Sequence, residues 1–257
     1  MARVVNIYRY KTTNIGDRYS SPSLYFDWLR DADTTDIWTE NIGKSINDIR
    51  KKVLILGGGG LIANHDFEKS VAWLSNAPFV KKVIWGAGHN THGTDRIEKV
   101  SRYINKFDLV GIRDIGTKYT WVPCVSCMHK LFDIEYATKH EIVVYEHRSF
   151  PLDINIYPKH NNRSDNLEEV LAFLGSGETI ITNSYHGAYW ATLLRRKVIL
   201  IDPFSSKFSR MNYSPIISTS HEYKKYLKDT RIYPNALEEC RKINIDFAES
   251  VKRMVFS

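Results

Sequence analysis

Lys52-Val-Leu-Ile-Leu56, running into Gly57-Gly58-Gly59-Gly60-Leu61, decides the fold. Four consecutive apolar residues form the kind of strand that a parallel sheet buries on both faces. The glycines then end the apolar run and let backbone N–H groups approach a ligand closely. A helix is expected directly after them, with its N-terminus favouring an anion or a polarised hydroxyl. Gly58-x-Gly60-x-x-Ala63 fits the loose dinucleotide pattern, but the acidic residue expected about 20 positions on is missing, since the next strand ends in Trp85-Gly86-Ala87. A P-loop lysine is missing too. The run is therefore either a tight packing turn or a backbone wall for a ligand, and both readings stay open at this point.

Outward from this stretch, short apolar runs alternate with helical ones. Strands are expected at 4–8, 82–85 and 109–112, and helices at 22–32, 67–74 and 95–104. A second series follows Cys127, with strands at 141–145, 179–182 and 197–201 and helices at 166–174 and 187–194. Residues 151–164 read as a polar loop, Ser164 or Asp165 as the cap of the next helix, and 235–254 as one or two helices. This alternation predicts an α/β protein of two Rossmann-like domains with parallel sheets. The expected division is 1–135, carrying the glycine block, and 136–257, carrying Ser184-Tyr-His-Gly187 and the C-terminal helices. A chain of 257 residues accommodates two such domains.

Composition narrows the function. Apolar residues make up 43% and charged residues 25%, so a folded globular chain is expected. The net charge of +7 favours an anionic partner. Lysines and arginines are spread along the chain without a basic arm, so nucleic acid is not expected as a partner. Cys124, Cys127 and Cys240 are too few for a disulfide framework. Cys124-Val-Ser-Cys127 lacks the second pair of a zinc site and reads as reduced thiols near a domain junction. The N-terminus does not read as a signal peptide, and no apolar run approaches the ~20 residues of a membrane span. A cytoplasmic protein is expected, with peripheral contact at the inner membrane face.

In open α/β sheets ligands bind beyond the carboxyl ends of the strands. Here those ends carry the glycines 57–60, Gly86-Ala-Gly88, Arg113, Arg148, Ser184-Tyr-His-Gly187 and Lys207. His186 falls at or near a helix N-terminus, where the dipole keeps an imidazole neutral and able to accept a proton. Arginine clamps a carboxylate or phosphate with two hydrogen bonds, and lysine adds a point charge. The bland alternatives are a core histidine and a surface ion pair between Arg113 and Asp114.

Together these motifs resemble the polysaccharide pyruvyltransferase family. The resemblance rests on Asn14-Ile-Gly-Asp17, Gly57 to Leu61, Gly86-Ala-Gly88, Arg113-Asp114, Ser184-Tyr-His-Gly187 and Lys207, in that order. It implies a fold similar to GT-B glycosyltransferases and transfer of a pyruvyl group from phosphoenolpyruvate to a sugar as a ketal, releasing phosphate. It implies His186 as the catalytic residue, and Arg113, Arg148, Ser184, Gly187 and Lys207 on the donor side. Asn14, Asp17, Gly58, Gly59, Gly60 and His89 then face the acceptor, a sugar or lipid-linked oligosaccharide. Neither a metal nor a cofactor is implied. The chain departs from many members in carrying Ser184 where they carry arginine, a charge that Arg148 or Arg210 would have to supply. The rival readings are a glycosyltransferase using a nucleotide sugar and a non-catalytic sugar-binding member.

Overall fold

The computed structural model describes residues 3–91 and 102–256. The first half is a parallel sheet in the order β2-β1-β3-β5-β6-β7, with β4 also paired to β5. Its strands are β1 (Arg3–Tyr8), β2 (Asp33–Asp36), β3 (Lys52–Leu56), β4 (Gly59–Ile62), β5 (Lys81–His89), β6 (Leu109–Ile112) and β7 (Thr120–Trp121). The second half is a parallel sheet in the order β12-β11-β10-β8-β9. It comprises β8 (His140–Glu146), β9 (Lys159–Asn161), β10 (Gly177–Thr182), β11 (Lys197–Ile201) and β12 (Ile216–Ser218). The helices that lie wholly within the described residues are α1 (Ile15–Arg18), α2 (Glu68–Asn76), α3 (Leu167–Ser176), α4 (Tyr185–Leu193) and α5 (Ala236–Phe256). This is the α/β architecture with two parallel sheets that the alternating pattern calls for.

Strand β3 shows why a continuous apolar run suits the centre of such a sheet. Leu54 and Leu56 face one core with Leu61, Ile62, Val71 and Leu74, under α2. Val53 and Ile55 face another with Val83, Trp85, Phe247 and Val251, under α5. Each fully buried side chain of this size contributes roughly 1.5–3 kcal/mol. Strand β8 repeats the scheme, with Val143 and Tyr145 on one face and Ile142 and Val144 on the other.

Several elements differ from expectation, each for a local reason. Residues 22–32 form two 3-10 turns, Pro22–Leu24 and Asp27–Leu29, because the Asn6 side-chain oxygen accepts from both the Ser21 hydroxyl and the Ser23 N–H and holds the segment against β1. The glycines lead first into the unexpected strand β4, and the helix expected at 67–74 follows as α2 from Glu68. Gly59, at φ +95°, makes that turn. Asn166, not Ser164 or Asp165, caps α3, its side chain accepting from the Glu169 N–H at 3.2 Å. The polar loop 151–164 contains β9 and buries Leu152 and Ile154. Most of the helix expected at 95–104 lies outside the described residues.

The C-terminal helix departs from a simple two-way division of the chain. Its first turns, with Leu237 and Cys240, pack into the second half. Its later turns, with Phe247, Val251 and Val255, cover the first sheet, and Asn244 accepts from the Trp85 indole N–H at 2.9 Å. One helix of 21 residues thus spans both halves. Among the described residues, no helix is long and apolar enough to cross a membrane.

Candidate active site

A cleft of about 350 Å³ lies between the halves, at the carboxyl ends of the strands. The first half supplies Asn14, Asp17, Gly60 and Arg113 to its walls; the second supplies Arg148, Ser184, His186 and Lys207. A larger hollow of about 810 Å³, near Tyr136, Arg196 and Arg241, holds none of the motif residues.

Helix α1 is the seam. Asn14 caps it, its Oδ1 accepting from the Gly16 N–H, and its Nδ2 donates to Asp17 Oδ2 at 2.9 Å. The Ile15 N–H donates to the carbonyl of Asn162 at 3.1 Å, and Asn14 forms a bridge with Arg163. Ile15 is buried in the second half's core although it belongs to the first half by sequence. Arg18 pairs with Asp165, and Arg148 donates to the Thr13 hydroxyl, across the same seam.

His186 stands in the first turn of α4, which Ser184 caps by accepting from the Gly187 N–H at 3.3 Å. Its imidazole is buried, with Nε2 at 3.5 Å from Cys124 Sγ and the ring 5.1 Å from that of Trp190. A Cβ on Gly16 would lie 2.0 Å from His186 Nδ1, so this glycine is what lets α1 close over the ring. Burial first, then the charges of Arg113 and Lys207, hold the imidazole well below its ordinary pKa. His186 thus presents a neutral imidazole on the cleft wall.

Arg113 and Lys207 are both buried, and among the described residues neither pairs with a carboxylate. The Arg113 guanidinium lies 3.7 Å from the centre of the Tyr185 ring, and its Nε has no hydrogen-bond partner. Gly88 makes room for it, since a Cβ there would lie 2.3 Å from that nitrogen. Asp114 is engaged elsewhere, accepting from the His89 N–H at 2.6 Å and contacting His89 Nδ1 at 2.7 Å. The surface ion pair considered for Arg113 and Asp114 does not form. Lys207 sits 4.3 Å and 4.9 Å from the ring centres of Phe204 and Phe208. Burial, followed by repulsion from Arg113, brings its pKa down to about 7.

The remaining expected residues divide. Gly60 lines the cleft, while Gly58 and Gly59 do not. Gly58 instead lies under Ser20, whose carbonyl oxygen a Cβ would meet at 2.6 Å. His89 does not line the cleft; from the end of β5 it fixes Asp114, which follows β6. Gly187 packs on Tyr145 and Thr182 below the helix start, away from the cleft wall. Arg210 does not reach the wall, whereas Arg148 does. All three cysteines are free and buried. Among the described residues no group of His, Cys, Asp or Glu could hold a metal ion.

Sequence reasoning missed Arg9, Trp38, Asn64 and Asn90, all on the cleft wall. Arg9 follows β1 directly, and the rule about carboxyl strand ends, applied to that strand, would have found it. Trp38 follows β2, whose sequence Asp-Thr-Thr-Asp carries no apolar signal. Asn90 follows β5, and its Oδ1 is buried without a partner beside Gly60.

Fold and site together define an α/β protein of two parallel halves, with a cleft lined by Arg9, Arg113, Arg148 and Lys207 between them. The polysaccharide pyruvyl transferase family model matches residues 5–206, and the chain belongs to that family. It is a transferase of this kind, acting on a sugar or oligosaccharide acceptor. No curated protein shows a significant match to the chain.

Proposed function

We propose that the protein transfers the pyruvyl unit of phosphoenolpyruvate to two hydroxyls of a sugar in a polysaccharide precursor, forming a ketal and releasing phosphate. The observation that carries this reading is the pair of buried cations, Arg113 and Lys207, facing one cleft without a carboxylate partner. Buried charges are costly unless paired, so such a site is organised for an anion that arrives with the substrate. Phosphoenolpyruvate is a small trianion with a carboxylate and a phosphate to be held. Arg148, at the cleft mouth, supplies a third cation in place of the arginine that Ser184 replaces.

Neutral His186 takes the proton of the attacking hydroxyl. Once the trianion is bound, its pKa rises, and the proton it has gained passes to the departing phosphate. The acceptor sugar lies against Gly60, Asn64 and Asn90, where the unpartnered Asn90 carbonyl accepts from a hydroxyl. The exposed Trp38 offers a ring face to the sugar. The protein would act in the cytoplasm, where phosphoenolpyruvate is made, on a free or lipid-linked acceptor at the membrane face.

The test is phosphate release from phosphoenolpyruvate in the presence of a panel of sugars, with nucleotide sugars as a parallel arm. We expect release only with phosphoenolpyruvate plus one class of sugar, and a His186→Ala variant slower by about 10²–10⁴-fold. Release that His186→Ala leaves unchanged, or turnover of a nucleotide sugar instead, rejects the reading.

A further inference from the structure

The donor chemistry needs a proton on the methylene carbon, and a neutral His186 that serves as the base is not an acid. We propose that Asp17 is the acid that protonates this carbon, with Asn14 as its positioning residue; this rests on the phosphoenolpyruvate reading above. Four features of the cleft point to it. Asp17 lines the same wall as Arg113, Arg148, Lys207 and Arg9. Among the described residues none of these cations comes within ion-pair distance of it. Asn14 Nδ2 anchors only Oδ2, at 2.9 Å, which leaves Oδ1 facing Gly59, whose Cβ would lie 3.4 Å away. Asp17 directly follows Gly16, the residue that lies against the His186 ring.

Asp17 is, with the exposed Asp66, one of two carboxylates lining a cleft organised for a trianion. It repels the donor unless it carries a proton, so donor binding and protonation of Asp17 favour each other. Desolvation already raises its pKa, against the pull of Arg113, Lys207, Arg9 and Arg148. The charged or titratable groups facing it from the packed elements include those four cations, His186 and Cys124.

The balance is as follows. The Asp17 proton forms the new C–H bond with the electron pair of the carbon–carbon double bond, leaving cationic character on the central carbon. The first acceptor hydroxyl bonds to that carbon and gives its proton to His186. The second hydroxyl forms the other C–O bond as the carbon–phosphate ester bond breaks. Its proton returns to Asp17, and the His186 proton leaves with the phosphate.

The experiment is calorimetric titration of the full chain with phosphoenolpyruvate from pH 5 to 9, in buffers of different ionisation enthalpy. Lys207 also titrates in this range, so the comparison is made in a Lys207→Arg background, with and without Asp17→Asn. We expect the chain with Asp17 to take up as much as about one more proton per donor bound, somewhere in the range. We expect Asp17→Asn to bind the donor roughly tenfold more tightly at pH 8, since a like charge is gone, yet to release phosphate at least about 10²-fold more slowly in the sugar panel. A merely structural Asp17 would weaken binding on replacement and leave proton uptake unchanged. Donor binding with equal uptake, or turnover unaffected by Asp17→Asn, overturns the Asp17 assignment alone. A wild-type chain that does not bind phosphoenolpyruvate overturns the donor reading and this inference with it.

Discussion

Gly16 shows how little space the site leaves at the level of single residues. A methyl group there would overlap the His186 ring, which is already enclosed by Cys124 and Trp190. Gly16→Ala is therefore expected to displace the imidazole and to lower turnover by about 10²-fold or more, a cost typical of misplacing a catalytic group. Thermal denaturation should show a loss of about 1–3 kcal/mol from overpacking. Lys207 gives a prediction about pH. A lysine is charged below its pKa, and that of Lys207 lies at about 7. Phosphoenolpyruvate affinity should therefore be greatest below this value and fall as pH rises through it, approaching about tenfold per pH unit. Titration of Lys207→Met should show weaker binding at pH 6 and a flatter profile; an unchanged profile would show that Lys207 does not hold the donor. His186 and Lys207 were legible because both follow predicted strands. The depressed pKa of His186 was legible only in direction: a helix dipole was expected to cause it, whereas burial and two neighbouring cations are its main causes.

At the scale of elements, the start of α4 joins fold to chemistry. The helix is buried throughout, so its exposed donors must be satisfied at the cap. Ser184→Ala removes the Gly187 partner and should cost about 1 kcal/mol, measured by urea unfolding. This serine stands where an arginine is common in the family, and here it serves as a cap. Strand β8 carries the opposite case. The Tyr145 hydroxyl is buried without a partner, and burial pushes its pKa up. Tyr145→Phe should leave the fold intact and raise stability by about 1 kcal/mol, since an unsatisfied buried hydroxyl carries that order of penalty. A loss of stability on the same assay would mean that this hydroxyl is satisfied in solution. The strong strands β3, β6 and β11 were legible because their side chains are apolar on both faces. Strands β2, β7, β9 and β12 were not: they are short or polar, and only pairing with a neighbour makes them strands.

For the whole molecule, α5 and α1 are the elements that hold the two halves in one arrangement. Phe247 packs on Trp85 at 5.3 Å between ring centres and lies over Gly111. Phe247→Ala should destabilise the chain by about 3–5 kcal/mol, because it opens a cavity between the last helix and the first sheet. Chemical unfolding monitored by tryptophan fluorescence would report it directly, since Trp85 lines that cavity. The seam around α1 belongs to this scale as well, because Ile15 donates to Asn162 and Asn14 pairs with Arg163, each about 150 positions away.

The sequence by itself determined the α/β class, the parallel order of strand and helix, and the set of motifs at the strand ends. Those follow from local patterns: apolar runs, glycine breaks and capping residues act over a few positions. The tertiary structure decided which motif residues share a wall. It turned the glycine block from a helix start into a strand, drew His89 away to Asp114, and brought Arg9 and Trp38 to the cleft. It also set Asp17 near Arg113, Arg148 and Lys207, cations that are distant in sequence. The physical reason is that electrostatic fields and steric exclusion act through space. Neither leaves a mark in the residues next to Asp17 or His186 along the chain.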